Sequence, residues 1–462
     1  NDGYMRYLRN TTVGGQQSGE EVWGFMPQSV MDKVKTLRTN APGIKHPYMV
    51  DGAPVVWMDD ANSNGTIDAG EDAWLFFGLR RGGRAYYALD VSDPESPDLL
   101  WKIEKNGDFA ELGNTFSNPR VIRVDTGSGE QPAIVFGGGY DFNKDDRTGV
   151  GTDDSEGNAI YIVDAETGQL IWKAVGSGAA DTDTFVHPDL VDSIPSTVSI
   201  LDSDGNGLHD RLYVGDTGGN VWRADMPGAN VANWKLTKLA SIGRHSAGAA
   251  GKEDDRRFFH RPDIVQSADK DGPFDAVVIA SGDRPDPLDK GGLATNWMYM
   301  IKDRNFKVGT GVDTALNHFS FGDVTNTCLE FGGECTADLT SGWALQLAAQ
   351  GEKGLSTPLT INNVVFFTSY LPPNGSPEGA CSPAEGSGRL YAVSLKDASA
   401  TTNYDTTDED LDRFTELDSK GIPAEVVSLP PKSILRPDLK VDQTNAPTRF
   451  QTYWFEEEDG DL

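Results

Sequence analysis

The sequence predicts an all-β protein, a modified β-propeller built of four-stranded blades. Three observations carry that reading: a recurring aromatic strand, a second marker in which proline opens a strand, and 52 glycines in 462 residues. Excess glycine between short apolar runs implies many tight turns. Repetition at intervals of tens of residues marks an array of supersecondary units.

The aromatic strand appears as YYALDV (86–91), IYIVDA (160–165), VWRADM (221–226), MYMIKD (298–303) and LYAVSL (390–395). Tyr87, Tyr161, Trp222, Tyr299 and Tyr391 lie 74, 61, 77 and 92 residues apart in turn. The proline marker keeps step at Pro54, Pro119, Pro195, Pro262 and Pro358. Proline suits a strand's first residue because its missing N–H need not join the ladder there. Between the two markers lies another apolar strand: AWLFFGL (73–79), PAIVFGGG (132–139), RLYVGD (211–216), FDAVVIASG (274–282) and VVFFTSY (364–370). A fourth, often carrying Trp, follows the aromatic strand in LLWKIE (99–104), LIWKAV (170–175) and NWKLTKL (233–239).

Four strands per repeat in up-and-down order describe a propeller blade. Five blades are complete by this count, and GYMRYL with EEVWGFMP resembles the third and fourth strands of a sixth. TRFQTYWFEE near the C-terminus is expected to close that blade, and the interval 303–357 has room for an irregular seventh. A pair of β-sandwiches with coincidental aromatics is the alternative. VMDKVKTL (30–37) predicts one short helix. The stretch 396–430 is polar and acidic and reads as a solvated loop or a partly disordered insertion. The expected division is a propeller over 1–395 and, over 396–462, an acidic loop and C-terminal extension that packs on or closes it.

Lys and Arg total 40 against 71 Asp and Glu, a net charge of −31. That disfavours nucleic acid and anionic membrane surfaces, both of which call for basic patches. No apolar run approaches the length of a membrane span. The opening NDGYMRYLRN is no signal peptide and reads as a chain entered mid-motif, so a longer protein is expected. Of three cysteines, Cys328 and Cys335 lie seven apart, a spacing that suits a local disulfide and an oxidising compartment, with Cys381 left over.

Two loops have the chemistry of calcium sites. Asp60-Ala-Asn62-Ser-Asn64-Gly65-Thr66-Ile-Asp68-Ala-Gly-Glu71 matches the twelve-residue pattern D-x-[DN]-x-[DN]-G-x5-E. Calcium takes six to eight hard oxygens, and such a loop wraps them round one ion. Asp60, Asn62 and Asn64 would give side-chain oxygens, Thr66 its carbonyl, Asp68 a direct or water-mediated contact, and Glu71 a bidentate carboxylate. The second loop supplies Asp202, Asp204, Asn206 and Asp210 with the Leu208 carbonyl between them. Its twelfth position is Tyr213, so the bidentate glutamate is missing. Both loops join strands, so neither implies a helix-loop-helix; an Asx-rich turn without an ion is the alternative for the Asp60 loop. His209 falls off the ligand alternation and is expected to face solvent. Asp141, Asn143 and Asp145 share the alternation without a glycine turn and read as a solvated loop, and Asp408, Asp410 and Asp412 as a charge run.

The six histidines show no zinc spacing, and neither a nucleophile elbow nor a phosphate loop is present. No nucleophile, base and orienter come together in the sequence, so a non-enzymatic role is expected.

With these motifs in place, the chain resembles the C-terminal β-propeller of the PilY-type proteins, the type IV pilus assembly and tip-adhesin family of bacteria. The likeness is most specific in GLRRGGRAYYALDVSDPESPDLLWKI (78–103) and IPSTVSILDSDGNGLHDRLYVGDTGGNVWRADM (194–226). It runs over about 1–395 and is poorest over 227–357. The resemblance implies a seven-bladed propeller, and a calcium loop at Asp202, Asp204, Asn206, Leu208 and Asp210. It further implies control of pilus extension and retraction, minor pilins as partners, adhesion to host or abiotic surfaces, and export to the pilus tip. The family's third ligand is commonly Asp where this chain has Asn206, one negative charge fewer. Some members carry an Arg-Gly-Asp integrin motif; this chain has none, and its Leu89–Val91 LDV tripeptide lies inside a predicted strand. An integrin-like calcium propeller and a quinoprotein-type dehydrogenase are the alternatives. The dehydrogenase typically needs adjacent cysteines, which this chain lacks.

Overall fold

The computed structural model describes residues 2–10, 18–145, 150–249, 251–289, 294–305, 309, 311, 314–330, 332–373, 385–404, 410–429 and 433–444. Five sheets of four or five strands follow one another along the chain. The first holds Val55–Met58, Ala73–Gly78, Ala85–Asp90 and Asp98–Glu104 in sequence order, all antiparallel. The second repeats that order with Arg120–Asp125, Glu130–Gly137, Ala159–Asp164 and Leu170–Val175, and adds Thr184–Val186 parallel to the last. The third is Ser199–Leu201, Arg211–Gly215, Asn220–Asp225 and Lys235–Ser241. The fourth begins Asp263–Asp269, Gly272–Ala280 and Trp297–Asp303. The fifth centres on Val364–Leu371 and Ser387–Ser394, flanked by Leu359–Ile361 on one side and Phe414–Lys420 on the other. These are the blades of a β-propeller, with the two strand markers in the places the repeat assigns them.

The interval 303–357 builds no separate blade among the described residues. Gly342–Gln346 is the fourth strand of the fourth sheet and Gly322–Asp323 pairs alongside it. Leu316–Asn317 extends the third sheet. The cause is local: Trp343 supplies the fourth-strand tryptophan for that blade, after a long insertion stapled by the Cys328–Cys335 disulfide. Cys381 and the expected closing segment TRFQTYWFEE lie outside the described residues. Met5–Leu8 and Glu21–Phe25 form a two-stranded sheet, and Val427–Leu429, Ser433–Leu435 and Val441–Gln443 a three-stranded one. The helix is Val34–Thr39, continuing a 3-10 turn and ending at Asn40 in the left-handed region (φ 42°).

The core lies between blades. One cluster joins Ile122, Val135 and Trp172 of the second sheet to Leu212, Val214 and Trp222 of the third. Others join the first to the second, the third to the fourth, and the fourth to the fifth. Middle strands such as Ala73–Gly78 and Asn220–Asp225 are therefore buried along their whole length where a one-sided sheet would alternate, the first as a continuous apolar run and the second with Arg223 and Asp225 paired inside it. The fourth-strand tryptophans close these seams. Trp101 Nε1 donates to Ala165 O of the next blade at 2.9 Å, and Trp343 Nε1 donates to Leu395 O at 2.9 Å. Each ring buries its apolar body while its N–H finds an acceptor across the seam.

Candidate metal centre

The Asp202 loop joins the first two strands of the third blade, Ser199–Leu201 and Arg211–Gly215. Such a short connection must turn tightly, and Gly205 (φ 77°) and Gly207 (φ 90°) supply left-handed backbone that side chains disfavour. The turn then points backbone N–H groups at carboxylates. Asp202 Oδ1 accepts from Gly205 N at 2.8 Å and its Oδ2 from Gly207 N at 2.8 Å. Asp204 Oδ1 accepts from Asn206 N at 3.1 Å, and Asn206 Oδ1 from Leu208 N at 2.8 Å. Asp210 accepts from Ser203 N at 3.1 Å and Ser203 Oγ at 2.6 Å.

As a result Asp202, Asp204 and Asp210 each place an oxygen within 4.8 Å of the others, the one such acidic or metal-ligating cluster among the described residues. Burial, with Asp204 adding like charge, raises the Asp210 carboxyl above the ordinary carboxylate range despite the Ser203 hydrogen bonds. The donor set is all oxygen, which fits a hard cation. His209 is not a ligand, and it does not simply face solvent. It is half-buried, and its Nδ1 accepts from Arg123 N of the second blade at 3.1 Å.

The loop is bolted to the blade seam by the next residue. Arg211 is fully buried, 3.5 Å from Asp225, and hydrogen-bonds Asp275 of the fourth blade. Arg223 bonds Asp225 at 2.7 Å and Asp303 at 2.8 Å, and Tyr213 OH bonds both Asp275 and Asp303 at 2.9 Å. The sequence carries only a scattered trace of this network: Arg223 and Asp275 stand inside strands, and Arg211, Asp225 and Asp303 at strand ends.

The Asp60 loop joins Val55–Met58 to Ala73–Gly78 and is arranged differently. Asp60 accepts from Asn64 N at 3.0 Å and Gly65 N at 2.7 Å, and Asn64 Oδ1 from Thr66 N at 2.7 Å. Asp68 and Glu71 meet through amides: Asn62 Nδ2 donates to Asp68 Oδ2 at 3.0 Å and Glu71 Oε1 at 3.2 Å, and Asn64 Nδ2 to Asp68 Oδ2 at 2.9 Å. Asn64 and Asn62 lower the Asp68 carboxyl by these hydrogen bonds. The six residues named from the sequence are thus brought together in one exposed loop.

The Asp141 segment is not a solvated loop. Asp141 is nearly buried and accepts from Ser155 N at 2.8 Å and Ser155 Oγ at 2.7 Å. Lys144 is fully buried, its Nζ 2.8 Å from Asp192 and 3.4 Å from Asp154, while Asp145 pairs with Arg81 at 2.9 Å. A lysine between the acids was the available signal. Asp408 lies outside the described residues, and Asp412 accepts from Tyr404 N at 2.9 Å. Leu89 of the LDV tripeptide is core.

Residues 1–265 match the family model of the PilY1 beta-propeller domain. The chain belongs to the PilY1 β-propeller family. Two curated relatives agree. A type IV pilus biogenesis factor PilY1 homolog of Xylella fastidiosa is 25% identical over 375 residues, covering 77% of this chain and 23% of the relative. Type IV pilus biogenesis factor PilY1 of Pseudomonas aeruginosa (strain UCBPP-PA14) is 32% identical over 213 residues, covering 46% of this chain and 16% of the relative. This chain thus spans under a quarter of the length of either. The crystal structure of the P. aeruginosa PilY1 C-terminal domain superposes with a TM-score of 0.65 at 20% identity, covering 96% of this chain and 91% of that one, which shows a common fold. No helix among the described residues is long and apolar enough to cross a membrane.

Proposed function

We propose that this chain is the calcium-binding propeller of a type IV pilus biogenesis factor and tip adhesin, regulating pilus extension, retraction and surface attachment. The observation that carries it is the Asp202–Asp204–Asp210 cluster, three carboxylates facing one another on a family propeller. An ion that neutralises them removes their mutual repulsion and shifts the loop toward one conformation. Because Arg211 continues directly from Asp210 into the seam between the third and fourth blades, that shift has a path into blade packing. The ligands are Asp202, Asp204, Asn206, the Leu208 carbonyl and Asp210. A second ion is held by Asp60, Asn62, Asn64, the Thr66 carbonyl, Asp68 and Glu71.

On this reading the propeller covers 1–395 and 396–462 packs on or closes it; Phe414–Lys420, which completes the fifth blade beside Ser387–Ser394, supports closing. Minor pilins and the pilus tip are the partners, host or abiotic surfaces the adhesion targets, and the exported pilus tip the location. The role is binding and mechanical, with no catalytic step. The test is to return the full-length protein carrying Asp210→Ala to a strain lacking it and to count surface pili and retraction events with and without a calcium chelator. The variant is expected to lose the calcium response while the protein still reaches the pilus. A calcium response equal to that of the parent protein would overturn the regulatory role.

A further inference from the structure

The five proline-led strand openings, which the calcium loops leave unused, meet in one place. Val55, Pro119, Pro195, Arg261 and Thr357 stand at or just before the first strands of the five blades in turn, and all line one cavity of about 360 Å³. First strands of different blades also contact each other, Val55–Met58 with Arg120–Asp125 and Ser199–Leu201 with Asp263–Asp269. The cavity therefore sits where the innermost strands converge. Its volume is at the lower end for small-molecule sites.

Its charge is opposite to that of the molecule. Acidic residues outnumber basic ones 71 to 40 in the chain, yet the lining holds Arg80, Arg120, Arg261, Arg284 and His260 against one carboxylate, Glu425. With His260 neutral, four guanidiniums and one carboxylate leave 4 − 1 = +3. Buried arginines elsewhere are paired: Arg211 with Asp275, Arg223 with Asp303, Arg257 with Asp255. The four in the cavity make no side-chain hydrogen bond or ion pair among the described residues, and Arg80 rests instead on the Phe116 ring at 5.1 Å. Two polar atoms there, Arg80 Nε and His260 Nε2, are buried without a partner. Burial and the nearby Arg261 lower Arg120, and burial and Arg80 lower Arg284. Glu425 is already engaged: it accepts from Thr357 N at 3.1 Å and Thr357 Oγ1 at 2.6 Å and lies 3.6 Å from His260. Half-buried cations that repel one another and lack acceptors carry a desolvation cost that an anion relieves.

We propose that this axial cavity binds a small, multiply charged oxyanion, a phosphate ester or polycarboxylate, whose oxygens accept from Arg80, Arg120, Arg261 and Arg284. The guanidinium fork matches both oxyanions bidentately. This site is separate from the calcium loops and stands or falls independently of them.

The test uses the metal-stripped chain, so that chelation of calcium plays no part, and titrates fructose 1,6-bisphosphate and tricarballylate by calorimetry, with acetate as the monovalent control. Saturable one-to-one binding of a multivalent probe is expected, and the stronger of the two tells phosphate from carboxylate. Arg120→Gln/Arg261→Gln should weaken it by about tenfold or more, while Lys270→Gln, an exposed lysine outside the cavity, should leave it unchanged. Without ligand the double variant should melt at or above the parent's temperature, because it removes a repulsive pair; that reading separates lost binding from lost folding. No saturable binding of either probe up to about 5 mM, or equal binding by the double variant, would overturn the proposal.

Discussion

The Asp60 and Asp202 loops each bring three carboxylates into one strand connection, yet they solve the charge problem differently. In the Asp60 loop neutral amides of Asn62 and Asn64 sit between Asp68 and Glu71. In the Asp202 loop one amide, Asn206 Nδ2, donates to Asp204 Oδ2 at 3.2 Å and bridges no second carboxylate, and three carboxylates lie within 4.8 Å of one another. The first loop is exposed throughout its turn; the second ends on the nearly buried Asp210 and runs straight into a buried ion network. Equal charge count thus need not mean equal affinity or equal reach into the fold. A cation entering the Asp202 loop relieves the repulsion of three close carboxylates, whereas one entering the Asp60 loop must displace the amide that bridges Asp68 and Glu71.

The largest way to break this comparison acts through the anchor. Arg211→Met takes the guanidinium away from buried Asp225 and Asp275, and should cost about 3–5 kcal/mol of stability by denaturant unfolding. It should also weaken calcium at the Asp202 loop and leave the Asp60 loop unaffected. A loss of under about 1 kcal/mol would show that the seam does not support the loop.

Acidification should separate the two sites next. The folded-state carboxyl of Asp210 is raised. Without calcium, the stability this shift contributes is present below the ordinary carboxylate value and is lost as pH rises through the raised one. Calcium takes only the ionised form, so protons compete for the Asp202 loop from a higher pH than for the Asp60 loop, where Asp68 is lowered. Calcium titrations at descending pH should therefore lose the Asp202 event first. The reverse order would contradict the assignment.

Adding charge sharpens the contrast. Asn206→Asp restores a fourth carboxylate and should tighten the Asp202 loop about tenfold. Asn62→Asp removes the amide that bridges Asp68 and Glu71, so it should make the metal-free protein less stable while tightening calcium there. Thermal melts with and without calcium read both effects. The smallest effect belongs to His209→Ala, which removes the acceptor for Arg123 N; it should cost about 1 kcal/mol and spare calcium binding.

The strand markers made most of the fold legible, because successive blades repeat a buried middle pair of strands and four of them carry a tryptophan in or beside the fourth strand. Only the last strand of the fourth blade escaped: with Trp343, it follows an insertion long enough to hide the period. The two Asp-rich loops were legible since the residues they bring together are local, set by alternation and by glycines at 65, 205 and 207. Long-range partners were not. Nothing near Asp210 in sequence shows that Arg211 meets Asp275, and nothing near Asp141 shows that Lys144 pairs with Asp192. For the same reason the proline markers read as strand punctuation, and their convergence on an arginine-lined cavity appears only once five distant segments are folded together.

We propose the Asp202 loop as the tighter of the two calcium sites. Calorimetric calcium titration of the chelator-stripped chain, beside Asp68→Ala and Asp210→Ala, tests it most directly. Two binding events are expected, the tighter lost in Asp210→Ala and the weaker lost in Asp68→Ala. No heat of binding up to millimolar calcium, or a tighter event that survives Asp210→Ala, would contradict it.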